Sequence, residues 1–357
     1  MVFLWKNSIH VETEHINQLK SLFTKWSGSQ PDQMELLPQS GSYRAYCRMK
    51  QGTKSVLGVH NLDEKENRAF ISFTQSFLKA GLQVPQLYAI DLEHHIYLVE
   101  DFGPSTLFDV VSASIPHGQK QPVFDDHLID LYKKSLSGLI ALQLEGKDCI
   151  DYAVCYPRAA FDRQSMMWDL NYFKYYFLKL VRIPFDEQAL EDDFTAFVEY
   201  LTAAPSDYFL FRDFQSANIV VKESDPYYID YQGGRRGALQ YDPASLLYDA
   251  KARLPKKLRK ELIEYYVLEL QQKISVDKAQ FMDYYQGFVL IRLMQALGAF
   301  GFRGLIENKP GFTQSIPPAV DMLSDLLDDW TFSVEMPQLK ACFQHIVEST
   351  YLKQLDV

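Results

Sequence analysis

Residues 208–249, YFLFRDFQSANIVVKESDPYYIDYQGGRRGALQYDPASLLYD, hold most of the unusual polar residues of the chain. The segment reads as short strands and loops lying between long, aromatic-rich helical stretches. Arg212-Asp213 is followed five positions after the Asp by Asn218, and then by the apolar run Ile219-Val220-Val221. Twelve residues beyond Asn218, Ile229-Asp230-Tyr231 sets a second acid at the end of another short strand. Any one of these Asp or Asn residues alone would more often be a turn former. Together they supply a proton acceptor and hard oxygen donors of the kind Mg²⁺ takes.

Towards the N-terminus, residues 34–62 carry β-branched and aromatic residues around two turns, Ser40-Gly41-Ser42 and Gln51-Gly52-Thr53. That pattern predicts a hairpin and a third strand, Ser55 to His60. Phe70, Phe73, Phe77 and Leu78 then recur at helical spacing behind an acidic first turn, and Gly81 ends that helix. Gln86 to Ile90 and His95 to Val99 complete a five-stranded antiparallel sheet with one helix. After Glu100-Asp-Phe-Gly103 the chain becomes mainly helical, with long segments near 127–145, 162–181, 187–203, 256–273 and 277–302. The fold class is therefore α+β and bilobal. The expected division is an N-terminal lobe at 1–99, a hinge at 100–103 and a helical C-terminal lobe at 104–357.

Arg212-Asp213 with Asn218 matches the catalytic-loop pattern R-D-x-x-x-x-N of protein-kinase-like folds. In such a loop Asp213, with Arg212 beside it as the second catalytic candidate, takes the proton of an attacking hydroxyl, while Asn218 and Asp230 hold the metal. Phe211 to Asn218, Ile229 to Gly234 and Gln240 to Ser245 together resemble the aminoglycoside phosphotransferase and choline kinase superfamily. Within it the likeness is closest to the anomeric amino-sugar kinases of cell-wall recycling, whose H-R-D-Y-x-x-x-N, I-D-F-Q and Y-D-x-A recur here with Phe211 for the His. The resemblance runs from about residue 34 to residue 325. It implies ATP and Mg²⁺ as cofactors and a small-molecule acceptor, an N-acetylated amino sugar. Asp242, ahead of Pro243, reads as a helix N-cap that also braces the loop.

The sequence departs from the kinase pattern at the third strand, which contains no Lys between Ser55 and His60. The amino-sugar kinases also lack this lysine, so the resemblance implies that its loss suits that branch. His60 occupies the place but is mostly uncharged at neutral pH. Glu66 is the candidate helix acid. Lys54 and Arg44 are candidate cations near the phosphates, with solvated strand residues as the alternative for both. Ser40, Gly41 and Ser42 form a hydroxyl-rich turn able to offer N–H groups to phosphate. Glu100 and Phe102 at the hinge are expected to meet the nucleotide base.

Acceptor recognition is assigned to Arg292 and Gln295, which share a helix face, with Arg303 beyond them and Arg235-Arg236 after Asp230. Ion pairs that merely fix the loop are the alternative for the Arg pair. Because these candidates are basic, they disfavour a polycationic antibiotic. An aminoglycoside- or choline-type kinase and a nucleotide-binding pseudokinase remain as alternatives. The net charge of −10 argues against a nucleic-acid-binding surface, while leaving room for a local basic site. Four scattered cysteines without metal spacing predict reduced thiols. Lys6, His10 and Glu12 interrupt the apolar opening, and no later run is read as long enough to span a bilayer, so a cytoplasmic protein without membrane contact is expected.

Overall fold

A computed structural model of the chain describes residues 2–38 and 44–355. The Ser40-Gly41-Ser42 turn assigned to nucleotide contact lies outside the described residues. The chain opens with a helix, α1 (Val2–Ser27), followed by β1 (Gln33–Leu36), β2 (Ala45–Gln51) and β3 (Lys54–His60). After α2 (Glu64–Lys79) come β4 (Leu87–Asp91) and β5 (Ile96–Glu100). The five strands form one antiparallel sheet, as the sequence predicts, and their order is β1-β2-β3-β5-β4.

The two faces of this sheet have different tasks. Alternation along a strand sends successive side chains to opposite faces. Cys47, Met49, Val56, Ile96 and Leu98 pack on Leu19, Leu22 and Phe23 of α1. Tyr46, Leu57, Val59, Tyr97 and Val99 turn the other way, into the main core that also contains α2 and the helical lobe. The sequence reading allowed this lobe one helix, and the structure gives it two. The clue was present in Leu19, Leu22, Phe23 and Trp26, spaced as one helical stripe.

Asp63 caps α2 through the Lys65 and Glu66 N–H groups. The apolar side of α2 reaches across the boundary between the lobes. Phe70 and Phe77 meet Tyr231 with ring centroids 5.2 and 5.3 Å apart, Phe77 meets Phe209 at 5.2 Å, and Thr74 is hydrogen-bonded to the Tyr231 hydroxyl at 2.6 Å.

The larger lobe contains α3 (Leu107–Ala113), α4 (Asp126–Cys149), α5 (Arg163–Phe173) and α6 (Glu187–Thr202). Next come β6 (Tyr208–Leu210), β7 (Ile219–Lys222), β8 (Asp225–Tyr228) and β9 (Arg235–Gly237), which pair antiparallel as β6 with β9 and β7 with β8. Helices α7 (Tyr241–Leu247), α8 (Lys256–Gln271), α9 (Lys278–Phe300), α10 (Pro310–Thr313), α11 (Ile316–Asp328), α12 (Pro337–Glu348) and α13 (Thr350–Lys353) complete it.

The expectation that no later run could span a bilayer needs correction. Among the described residues, the continuous helical stretch Lys278–Ile306 is long and apolar enough by composition, and 67% of its apolar window is buried inside the protein. Its hydrophobicity is that of a core helix. All four cysteines are free.

Candidate active site

The catalytic-loop candidates lie between β6 and β7 and are held by buried carboxylates. Asp242 is inaccessible to solvent. It accepts the Phe211 N–H at 2.8 Å through one oxygen and the Arg212 N–H at 3.0 Å through the other. The N-cap reading of Asp242 is thereby replaced. Helix α7 begins at Tyr241, one residue before Asp242, whose carboxylate serves the loop and not the helix end. Burial raises the Asp242 carboxyl to about 7, against the two N–H groups, which favour its ionised form. A second buried acid, Asp249, takes the Ser216 hydroxyl at 2.6 Å and pins the next turn.

Arg212 and Asp230 both adopt positive φ, 83° and 69°. Such conformations are uncommon outside glycine and cost free energy that surrounding contacts must offset. At Arg212 those contacts are explicit. Its guanidinium makes a two-pronged pair with Asp169 of α5 at 2.7 and 2.9 Å and donates to the Tyr241 hydroxyl. It also lies over the Phe161 and Tyr241 rings at 4.8 and 5.1 Å. Arg212, expected to be catalytic, is therefore spent on fixing the loop. Phe211, which replaces the usual His, is fully buried against Phe214 and Tyr231.

Asp213 is exposed. The Asn218 amide donates to the Asp213 carbonyl at 2.9 Å, and the Ile229 N–H donates to the Asn218 carbonyl at 3.1 Å. The first bond ties Asn218 to Asp213 within one loop, and the second sets the residue before Asp230 beside Asn218. One amide oxygen and one carboxylate suit Mg²⁺, which takes one or two protein ligands and completes its shell with water and phosphate oxygens. Among the described residues no cluster of three or more His, Cys, Asp or Glu forms a cage of its own.

The nucleotide side departs from expectation at several points. His60 shares the parity of Val56 and faces α1, where it stacks on His15 with centroids 3.5 Å apart. Burial lowers its pKa to about 4, helped by His15 and His95, so it carries no charge for a phosphate. Lys54 is exposed at the outer start of β3. Arg44 is 4% exposed and joins the Glu66 carboxylate at 2.8 Å to the Asp230 carboxylate at 2.7 Å. Asn61 also donates to Glu66, at 3.1 Å, and Gln232 donates to Asp230 at 2.9 Å.

At the hinge, the Glu100 N–H is committed to the Gln86 carbonyl at 2.9 Å, and its carboxylate lies 3.6 Å from Lys222. Phe102 is buried and packs on Tyr227 at 4.3 Å, so it is not an open wall for a base. The sequence reading passed over Asp101, which organises this junction. It takes Arg48 at 2.7 Å, Ser55 at 2.5 Å and the Gly103 N–H at 3.0 Å. Gly103 turns with φ of 96°, open to glycine at little cost.

The acceptor candidates separate into two groups. Arg235 is buried, donates to the Gly233 and Tyr156 carbonyls at 3.0 and 3.4 Å, and lies within electrostatic reach of Arg212, Asp169 and Asp213. Arg236 points to the opposite face of β9, ion-pairs with Asp207 and covers the Tyr152 ring, which removes it from the acceptor set. Arg292 is buried and donates to the Ser245 hydroxyl at 2.9 Å and to Gln295 at 2.5 Å, so the shared helix face is real. Arg303 pairs with Glu307 at 3.2 Å. On the neighbouring aromatic-rich helix, Phe173 and Phe177 belong to the core, while Tyr175 and Tyr176 are exposed.

The same arrangement of lobes occurs in solved phosphotransferases. An amicoumacin kinase bound to AMP-PNP and Ca²⁺ matches with a TM-score of 0.55 at 12% identity, covering 91% of each chain. A choline kinase from Streptococcus pneumoniae matches with a TM-score of 0.55 at 14% identity, over 88% of this chain and 99% of that one. The fold is that of the aminoglycoside phosphotransferases and choline kinases. No family model matches the sequence. Two curated relatives, from Pseudomonas aeruginosa and Pseudomonas putida, are both named N-acetylmuramate/N-acetylglucosamine kinase. The first is 24% identical over 310 residues, 84% of this chain and 86% of the relative. The second is 20% identical over 336 residues, 92% and 94%. Relatives named as kinases and fold neighbours that are phosphotransferases support an ATP-dependent phosphotransferase.

Proposed function

We propose that this chain is a cytoplasmic small-molecule kinase that uses ATP and Mg²⁺ to phosphorylate the anomeric hydroxyl of an N-acetylated amino sugar. The observation that carries the reading is the convergence of exposed Asp213 with Asn218 and Asp230 through the Asn218 and Ile229 hydrogen bonds. Residues 1–99 would form the nucleotide lobe, 100–103 the hinge and 104–357 the lobe that binds the acceptor. Bound ATP supplies the phosphoryl group and Mg²⁺ offsets its charge. Asn218 and Asp230 hold the metal, and Asp213 takes the hydroxyl proton as the acceptor oxygen bonds to the γ-phosphorus and ADP leaves. Asp169, Arg212 and Asp242 keep Asp213 in place.

Arg235, Arg292 and Gln295 present positive charge and an amide near the loop, which suits hydroxyl, acetamido or carboxylate groups and repels a polycation. The names of the two relatives support the same acceptor class. The test is ATP consumption across N-acetylmuramate, N-acetylglucosamine, choline and aminoglycosides, with the product identified by phosphorus NMR. Phosphate at C1 of an amino sugar is expected, with loss of at least 100-fold in kcat for Asp213→Ala, the scale of general-base catalysis. Turnover of choline or an aminoglycoside alone would refute the acceptor assignment.

A further inference from the structure

The cleft face of β3 offers Ser55, Leu57 and Val59, and none of them is a cation. The phosphates of a nucleotide held beside Glu66, Asp213 and Asp230 would meet three carboxylates, a field that repels them. A cation must enter from another strand. We propose that Arg44, from the residue preceding β2, replaces the missing β3 lysine and binds the nucleotide's α- and β-phosphates. This rests on the kinase reading above and names a contact that the sequence pattern would place elsewhere.

Four observations carry it. Ala45 pairs with His60 across β2 and β3, so Arg44 adjoins the inner end of the strand where the lysine is absent. Arg44 shares the parity of Tyr46 and Arg48, both on the cleft face, whereas His60 lies on the face covered by α1. The Arg44 guanidinium touches Glu66 on α2, the acid that would brace a strand lysine. Its other nitrogen touches Asp230, the expected metal ligand, so it stands where metal and phosphate would meet.

A planar guanidinium with a fork of N–H donors can engage a carboxylate and a phosphate at once, which an ammonium does less well. Arg44 also brings a fixed charge, because a guanidinium does not titrate in the accessible pH range.

The alternative is that Arg44 only ties Asp230 to α2. Titration calorimetry of the full chain with Mg²⁺-ADP and with adenosine separates the two, because adenosine shares the base and lacks the phosphates. Arg44→Gln is expected to weaken ADP about tenfold or more, the worth of a charge-assisted hydrogen bond, while leaving adenosine unchanged. Arg44→Lys should recover part of the ADP affinity, and KM for ATP should rise by a larger factor than kcat falls. If Arg44→Gln does not fold, Arg44→Lys carries the test with an intermediate loss confined to ADP. Equal ADP affinity in wild type and a folded variant would overturn the assignment, as would parallel loss of ADP and adenosine. Failure of the wild type to bind ADP would refute the kinase reading itself, and it would show before any substitution.

Discussion

Arg212 keeps its charge where little water reaches it. Burial opposes that charge, and Asp169 and Tyr241 overcome the penalty, so its pKa lies above the usual value. Removing one partner of such a pair leaves an uncompensated charge in low dielectric. Asp169→Ala should therefore cost about 3 kcal/mol in denaturant unfolding and lower kcat, because the positive-φ turn before Asp213 loses its anchor. A loss below about 1 kcal/mol, the range of exposed pairs, would show that the bridge is not needed. At this scale the sequence was a partial guide. Asp213, Asn218 and Asp230 were legible because they lie within eighteen positions and flank short apolar strands in a kinase-like spacing. The partners that orient them were not, because Asp169 lies 43 positions from Arg212, and Arg44 lies 186 from Asp230. One hint stood in the open: an acid inside the apolar stretch of α5 is seldom placed there without a cation to meet it.

Helix α1 is fastened to the sheet by apolar packing and by a histidine contact. His15 of α1 stacks on His60 of β3, with His95 within electrostatic reach. Burial lowers both the His15 and His60 pKa values, His60 to about 4, so the folded lobe binds fewer protons than the unfolded chain between pH 6.5 and 4. Stability from this contact is then complete above 6.5 and is lost as pH falls towards 4. Protection factors for amide hydrogen exchange over residues 14–27, taken relative to the intrinsic rate at each pH, should fall across that window, and His60→Phe should flatten the response. Protection that stays constant with pH in the wild type would show that the stack adds nothing to docking. The sequence concealed this element because the polar stretch His10-Val-Glu-Thr-Glu-His15 separates its apolar opening from the stripe Leu19 to Trp26. The five strands were easier to read, since each is bounded by a Gly or polar turn.

The whole molecule carries a net charge of −10, yet Arg44, Arg235 and Arg292 are all at least nine-tenths buried. Acidic residues outnumber basic ones in the chain while these guanidinium groups lie inside it, so the bulk charge gives no sign of them. The change in composition after residue 99 suggests a lobe boundary there, but the packing does not follow such a division. Helix α2 precedes that boundary in sequence while its phenylalanines belong to the core around Tyr231 and Phe209. A fragment stopped at the hinge would bare Phe70, Phe73 and Phe77 to water, and the remaining piece would lose the rings that cover Tyr231. Chimeras exchanging halves with a distant relative should therefore be spliced on either side of α2 rather than at the hinge, so that the helix travels with the partner it was shaped to fit.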